Sequence, residues 1–321
     1  MMMNRLVNYY VQLYNKNAFY HYKKSNKLKW MYSNIIVRFV EFVFPLLMKL
    51  RKQKKEYRCS SNSNVIVSLT SFPQRIESLW MVIESMMYQT YKPYRIELYL
   101  SKEQFPKCLG DLPRSLTKYI EQGLDIYFVE EDLKPHKKYF YSFVRHNDYD
   151  IVTIDDDIYY KEDTLEKLCQ LRTEHKDAIC SNCASYMETE NGMLKKYNTW
   201  KRVHKKQSPS MKLVAIGFGG VLYPQSYISK CHVLYDIDAI KNTCIKADDL
   251  WQKANQIYLN VPVCTNGRDC QGIYIRGTQN YALQKTNKSE IEANNDYQWS
   301  KIVKFFEDMN VFLIERILSN G

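Results

Sequence analysis

From residue 65 onward, short apolar runs alternate with segments whose apolar residues recur at helical spacing. The apolar runs predict strands over 65–69, 95–100, 125–129 and 150–154. The segments with helical spacing predict helices over 77–89, 112–122, 137–146 and 164–175. Alternation of this kind favours an α/β fold with a mostly parallel sheet and helices on both faces. Ligands of such folds bind beyond the carboxyl ends of the strands.

The remainder of the chain has a weaker pattern. We predict strands over 178–187 and 212–216, a helix that begins near residue 247, and an amphipathic helix over 296–319. A polar segment at 60–64 separates the α/β region from what precedes it. We therefore divide the chain into an N-terminal arm (1–60), an α/β domain (61–290) and a C-terminal helix (291–321).

The arm carries the whole excess of positive charge. Residues 1–60 hold thirteen Lys and Arg but only two Glu, whereas the other 261 residues hold 33 basic and 33 acidic side chains. Within the arm, the apolar segment 30–50 is nearly long enough to span a bilayer. Arg38 and Glu41 lie in its middle, however, and charged groups are costly at a bilayer centre.

Three interpretations of this segment remain open: a helix on the surface of an anionic membrane, a helix packed on the protein's own core, and a span. The basic residues on both sides favour the membrane surface. We do not expect nucleic acid as a partner, because the basic residues flank an apolar helix and the rest of the chain is neutral.

The nine cysteines are odd in number and lack the regular spacing of a disulfide framework. The first residues also lack the pattern of a signal peptide, so we expect free thiols in a reducing cytoplasm. Cys180 and Cys183 form a single CxxC pair without a second pair at zinc spacing. Two thiols on a buried strand are therefore favoured over a zinc site.

Three consecutive carboxylates, Asp155, Asp156 and Asp157, directly follow the apolar run 151–154. Such groups repel one another unless a cation holds them. Alternation along a strand predicts that Asp155 and Asp157 face one side and Asp156 the other. Two carboxylates at a strand end suit Mg²⁺ or Mn²⁺ when phosphate oxygens complete the coordination shell of the ion. The alternative is an acidic loop that caps the next helix.

Four segments in series, 67–76, 86–101, 130–139 and 150–160, resemble family-two-type glycosyltransferases with the GT-A (Rossmann-like) fold. The resemblance is greatest to bacterial enzymes of surface-polysaccharide assembly and covers roughly residues 64–260. Residues 217–224 resemble the glycine-rich loop of that family. Residues 246–251 resemble its "ED" motif, with Asp248 in the place where Glu is common.

The resemblance implies roles for individual residues. It makes Asp157, with Asp155, the metal-binding residues of a Mn²⁺ or Mg²⁺ site. It makes Asp249 the general base, or else its neighbour Asp248, and leaves Trp251 either to stack on a sugar or to fill the core. The residues that it assigns to the nucleotide-sugar are Thr70, Ser71, Arg75, Asp132, Lys137, Lys138, Asp155, Asp156, Gly219 and Gly220.

The implied activity is metal-dependent transfer of a sugar, with inversion, from a nucleoside-diphosphate sugar. A UDP-sugar is the expected donor, and a glycan or lipid-linked glycan in bacterial surface-polysaccharide synthesis is the expected acceptor. The arm would hold the enzyme at the inner face of the cell membrane. Two alternatives remain: a non-catalytic membrane-binding or assembly protein built on such a domain, and a nucleotidyltransferase, which would release pyrophosphate.

Overall fold

The computed structural model describes residues 2–23, 27–51, 58–230, 232–268, 272–281 and 294–319. The α-helices are α1 Met2–Lys23, α2 Lys27–Leu50, α3 Pro73–Ile76, α4 Trp80–Met87, α5 Arg114–Thr117, α6 Lys137–Arg145, α7 Thr164–Glu174, α8 Gln225–Ile228, α9 Ile237–Thr243, α10 Asp248–Tyr258, α11 Asn295–Asp308 and α12 Leu313–Ser319. The strands are β1 Val65–Thr70, β2 Arg95–Ser101, β3 Leu124–Val129, β4 Asp150–Thr153, β5 Ile158–Tyr160, β6 Ile179–Ser181, β7 Ala184–Tyr186, β8 Thr189–Glu190, β9 Met193–Leu194, β10 Lys201–Arg202, β11 Gln207–Ser210, β12 Leu213–Ala215, β13 Val221–Tyr223, β14 Val263–Thr265 and β15 Gly272–Tyr274.

A central sheet of eight strands has the order β11-β14-β6-β13-β4-β1-β2-β3. Strand β1 pairs in parallel with β2 and β4, and the pairs β2–β3 and β6–β14 are also parallel. Strand β13 lies antiparallel between β4 and β6, and β11 is antiparallel to β14 at the edge. The predicted fold class is confirmed: the sheet is mostly parallel, helices flank it, and a helical arm precedes it.

The sheet has a hydrophobic core on each face because alternate residues of a strand point to opposite sides. In β1, Val65, Val67 and Leu69 join the core that contains α2, α4 and α7. Ile66 joins the other core, which contains α6, α10 and the C-terminal helices. Both faces of this central strand are therefore buried, as expected for a strand that reads as a continuous apolar run.

The arm is a hairpin of two long helices, α1 and α2, and the first of them was not predicted from the sequence. Contacts from Asn4 to Arg51, from Tyr14 to Glu41 and from Asn17 to Ser33 show that the helices run antiparallel. Their facing apolar side chains are buried in the core on that side of the sheet: Val7, Val11, Tyr14, Val37, Val40, Phe44 and Met48.

Several predicted elements are divided in the structure. The helix expected over 296–319 is α11 and α12, because Asn310 adopts a left-handed conformation (φ 59°) and Val311 turns back to donate to the Phe306 carbonyl at 2.8 Å. The strand expected over 178–187 is β6 and β7, which belong to different sheets. The helix expected over 77–89 is α4 preceded by the short α3, and 112–122 forms only α5 and a 3₁₀ turn.

Some predictions lie outside the described residues. They include the boundary at 290/291 and the basic residues Lys52, Lys54 and Lys55, so the division into three parts stays a prediction. The cysteines that the structure describes are free, with Cys180 and Cys183 both buried. Within those described ranges no cluster of three or more His, Cys, Asp or Glu side chains is poised to hold a metal.

Arg51, directly after α2, attaches the arm to the sheet domain. Its guanidinium donates to the Tyr159 hydroxyl at 3.0 Å and to the Asn4 amide oxygen at 2.9 Å. It also lies 3.9 Å from Glu84 and stacks 3.1 Å from the centroid of the Tyr88 ring. The side chain is 4% exposed, so these contacts replace water for a full positive charge.

We predict that Arg51→Gln lowers the free energy of unfolding by roughly 3 kcal/mol, because Glu84 is left buried without its cation. Lys49→Gln, which changes an exposed residue in the last turn of α2, should alter the free energy of unfolding by less than about 0.5 kcal/mol. Urea denaturation of the two variants measures both values. Equal stability of the two variants would show that Arg51 does not anchor the arm.

Candidate active site

Two loops meet at the carboxyl edge of the sheet. Strands β1 and β4 are parallel neighbours in which Ser68 pairs with Thr153. The residues that follow each strand therefore leave the sheet side by side, which brings Ser71 close to the three aspartates after β4.

Arg75 holds two of the three aspartates. Its guanidinium pairs with Asp156 and lies 3.1 Å from Oδ2 of Asp157, and the Ser71 hydroxyl donates to Asp156 at 2.6 Å. The expected alternation is wrong, because Asp156 and Asp157 form a turn and not a continuation of β4. The turn places Asp156 and Asp157 on one guanidinium, while Asp155 points to a different cation.

Two side chains hold the Asp157 carboxylate, and one of them is itself anchored. Besides Arg75, the Gln279 amide donates to its Oδ2 at 2.9 Å, and the Thr278 carbonyl accepts from the same guanidinium at 3.1 Å. Burial raises the pKa of the Asp157 carboxyl to about 7, against the opposing charge of Arg75. The carboxyl group thus lies in a partly dehydrated site where added positive charge would favour its ionised form.

Lys138, in the first turn of α6, links the aspartates of two distant segments. Its Nζ lies 2.8 Å from Oδ1 of Asp155 and 2.8 Å from Oδ2 of Asp248. Burial acts against its charged form, but Asp155, Asp248 and Asp249 together raise the pKa of Lys138 well above its ordinary value. Lys138 therefore carries its charge at neutral pH.

The two acids at the start of α10 have different environments. Burial opposes ionisation of Asp248, but Lys138 holds the pKa of this carboxyl below its ordinary value. Burial and the charge of Asp248 raise the pKa of Asp249 to about 7. Asp249 also accepts the Gly217 backbone N–H at 3.3 Å. Two adjacent carboxyls with separated pKa values are typical of acid–base sites.

The side chains of these charged residues, with Ser71 and Gln279, line one cavity of about 480 Å³. Its wall contains every residue that the sequence assigned to a site except Asp132, Gly219 and Gly220. Other lining residues that the sequence did not assign to a site are Phe72, Gln104, Lys134, Pro135, Ile154, Tyr197, Ile216, Phe218, Lys246, Ala247, Leu250, Tyr274, Gln279 and Asn295. Phe218 and Lys246 belong to the two motifs already recognised, whereas Gln279 and Asn295 follow no sequence pattern.

The three exceptions lie behind the wall. Asp132 pairs with Lys134 and Lys137 and accepts from the Gln104 amide at 3.1 Å. It therefore positions three lining residues. A Cβ on Gly219 would lie 2.6 Å from Cys183 Sγ, and Gly220 has φ +83°, so both glycines serve packing and backbone geometry.

A different glycine faces the charged groups. A Cβ on Gly217 would lie 3.0 Å from Lys138 Nζ and 3.3 Å from Oδ1 of Asp249. The missing side chain therefore leaves room for these two groups at the cavity wall. Trp251 is core and not a sugar platform, because it is fully buried and its indole N–H donates to the Leu234 carbonyl at 3.1 Å.

Each of the predicted metal ligands, Asp155 and Asp157, has one carboxylate oxygen engaged by neighbouring side chains. Lys138 engages Oδ1 of Asp155, and Arg75 and Gln279 engage Oδ2 of Asp157. Within the described residues, the other oxygen of each carboxylate has no hydrogen-bond partner. These two oxygens are of the type that Mg²⁺ and Mn²⁺ prefer, and the donor set fits such an ion when a ligand with phosphate oxygens completes it.

Comparison with known proteins gives no family model that matches the chain and no matching curated sequence. Among solved structures, residues 1–349 of S. aureus TarS in complex with UDP are 12% identical, with 76% of this chain and 70% of that chain covered at a TM-score of 0.44. The mannosyltransferase PcManGT from Pyrobaculum calidifontis, in complex with GDP-Man and Mn²⁺, is 14% identical, with coverages of 79% and 71% and a TM-score of 0.43. Because these TM-scores are below 0.5, we infer neither the reaction nor the ligand from them.

We predict that Lys138→Met lowers the free energy of unfolding at pH 7 by roughly 3 kcal/mol, since it leaves buried carboxylates without their cation. The pKa of Lys138 is raised in the folded protein, so its contribution is complete at pH 7 and is lost only as the pH rises through the folded-state value. Lys134 lines the same cavity but is half-exposed, so Lys134→Met should lower the free energy of unfolding by less than about 1 kcal/mol. Thermal and urea unfolding distinguish the two results, and equal losses would contradict the role given to Lys138.

Proposed function

We propose that the protein is a glycosyltransferase that uses a nucleoside-diphosphate sugar. One observation carries the proposal: carboxylates from two separate segments, Asp155–Asp157 and Asp248–Asp249, line one cavity and share the cation Lys138. Cation-rich and carboxylate-rich walls at the carboxyl edge of a sheet suit a ligand that carries a diphosphate next to a reacting sugar.

The donor is assigned to the side of the cavity that β1 and β4 form. A volume of about 480 Å³ is within the range of small-molecule sites. Arg75, Lys134, Lys137, Lys138 and Lys246 line it and can receive the negative charge of a diphosphate. Asp155 and Asp157 would hold Mn²⁺ or Mg²⁺, and the bound ion would neutralise the diphosphate leaving group.

Asp249 is assigned as the general base. Its pKa of about 7 allows it to be ionised and still to accept a proton near neutral pH. Asp248 is less suited, because Lys138 is paired with it and lowers its pKa. Asp249 takes the proton of the acceptor hydroxyl, whose oxygen forms a bond to the anomeric carbon as the bond to the diphosphate oxygen breaks. The nucleoside diphosphate leaves with the electron pair, and a single displacement of this kind inverts the anomeric configuration.

The biological setting follows the sequence resemblance and the charge of the arm. We assign a UDP-sugar as donor and a glycan or lipid-linked glycan of bacterial surface-polysaccharide synthesis as acceptor. The enzyme would work at the cytoplasmic face of the cell membrane, held there by its basic arm. In the described part of the chain, α2 is a helix long and apolar enough to cross a bilayer by length and composition.

A thermal-shift screen tests the donor site. UDP, GDP, CMP and dTDP are each added with and without Mn²⁺ to the wild type and to Asp157→Ala. We expect one diphosphate to raise the Tm with Mn²⁺ present, as a ligand at a hundred times its Kd adds about 2.7 kcal/mol. The response should be lost in the variant. No shift with any nucleotide would favour the non-catalytic alternative.

Product analysis tests the assigned base. Asp249→Asn should lower kcat by about 10²- to 10⁴-fold while the nucleotide-induced Tm shift persists, because the variant removes the proton acceptor and not the donor site. Asp238→Asn makes the same change in the first turn of α9, outside the cavity wall, and should retain full activity. Release of pyrophosphate instead of a nucleoside diphosphate would identify a nucleotidyltransferase and contradict the proposal.

A further inference from the structure

The outward face of α2 is a continuous apolar stripe. At 100° per residue its large side chains fall within an arc of about 100° on the helix. They are between 48% and 79% exposed and comprise Leu28, Met31, Tyr32, Ile35, Phe39, Phe42, Leu46 and Leu50. Soluble monomers rarely leave a contiguous apolar surface of this length uncovered, so the stripe indicates an interaction site.

The opposite face of α2 is already occupied. Val37, Val40, Phe44 and Met48 are buried against α1 and the sheet domain, and the Phe44 ring packs edge-on against Tyr159 at 4.8 Å. A helix that spanned a bilayer would have to give up these contacts. Only the outward stripe is therefore available to a partner while the arm keeps its packing.

The charges beside the stripe identify the partner. Lys27, Arg38 and Lys49 project along one edge of the stripe, and all three are exposed. Arg38 reaches back to Glu41 at 3.2 Å, but its side chain remains 69% exposed. Apolar residues with lysines and arginines at their margin fit the interface of an anionic bilayer. A second copy of the chain fits poorly, because an antiparallel two-fold contact between the stripes would bring identical positive edges together.

We propose that the stripe is a lipid-docking surface that holds α2 parallel to the plane of an anionic membrane. The proposal gives the membrane attachment in the proposed function a defined face, and it excludes a transmembrane orientation. It also has a consequence for the cavity. Tyr159, which Phe44 and Arg51 contact, lies in β5 only two residues after Asp157. Docking through α2 therefore fixes the direction in which the cavity faces the membrane.

Vesicle co-sedimentation tests the proposal on the full chain. The wild type, the stripe variant Ile35→Glu/Phe39→Glu and the control variant Leu109→Glu/Val144→Glu are mixed with phosphatidylserine-containing or phosphatidylcholine vesicles. All four residues are more than half exposed, so each pair makes the same charge change at exposed positions. We expect the wild type and the control to bind anionic vesicles, with weaker binding to phosphatidylcholine and at high salt. The stripe variant should bind at least about tenfold more weakly.

Three results would overturn the proposal. The first is a stripe variant that binds anionic vesicles as tightly as the wild type does. The second is a wild type that does not bind anionic vesicles. The third is wild-type protein that stays in the membrane during alkaline carbonate extraction, as a spanning protein does. A wild-type dimer that the stripe variant dissociates in light scattering would assign the surface to self-association instead. The nucleotide-induced Tm shift is measured on the same samples. If lipid binding behaves as predicted but no nucleotide shifts the Tm, the proposed reaction fails and the docking surface stands.

Discussion

The arrangement of the candidate site depends on one buried cation. Lys138 lies 2.8 Å from both Asp155 and Asp248, which come from a turn after β4 and from the start of α10. Without that charge, the carboxylates of the two segments would repel one another in a space largely withdrawn from water. With it, they form one wall, and the adjacent Asp248 and Asp249 take different pKa values. A single interaction thus brings together the side of the cavity proposed for the leaving group and the side proposed for the general base.

A second cation extends the same principle toward the arm. Arg75 holds Asp156 and Asp157, and the strand that follows Asp157 carries Tyr159, to which Arg51 and Phe44 of the arm attach. The arm is therefore a packed part of the molecule and not a loose tether. The short two-stranded sheet of β5 and β15 connects the arm to the cavity and fixes the position of the outward apolar stripe relative to it.

The sequence predicted what depends on local pattern and missed what depends on packing. The strand before Asp155–Asp157 was identifiable because an apolar run that ends in three carboxylates is an unusual local pattern. Asp248 and Asp249 were identified only through the resemblance of residues 246–251 to a family motif. Gln279 was not identifiable, since it reaches Asp157 from a segment 122 residues away that has no motif. The glycine-rich loop was located, but only three-dimensional packing distinguishes Gly217, beside Lys138 and Asp249, from Gly219, which packs against Cys183. Likewise, hydrophobic periodicity continues across Asn310, where the backbone breaks the C-terminal helix.

A crystal structure of the protein with Mn²⁺ and the nucleoside diphosphate that most raises its Tm is the most direct test of the central claim. We expect the diphosphate in the cavity, within hydrogen-bonding distance of Lys138 or Arg75, with the metal ion on Asp157. We also expect Asp249 to face the space beyond the terminal phosphate, where a sugar would lie. A nucleotide bound elsewhere on the protein, with the cavity free of it, would contradict the account.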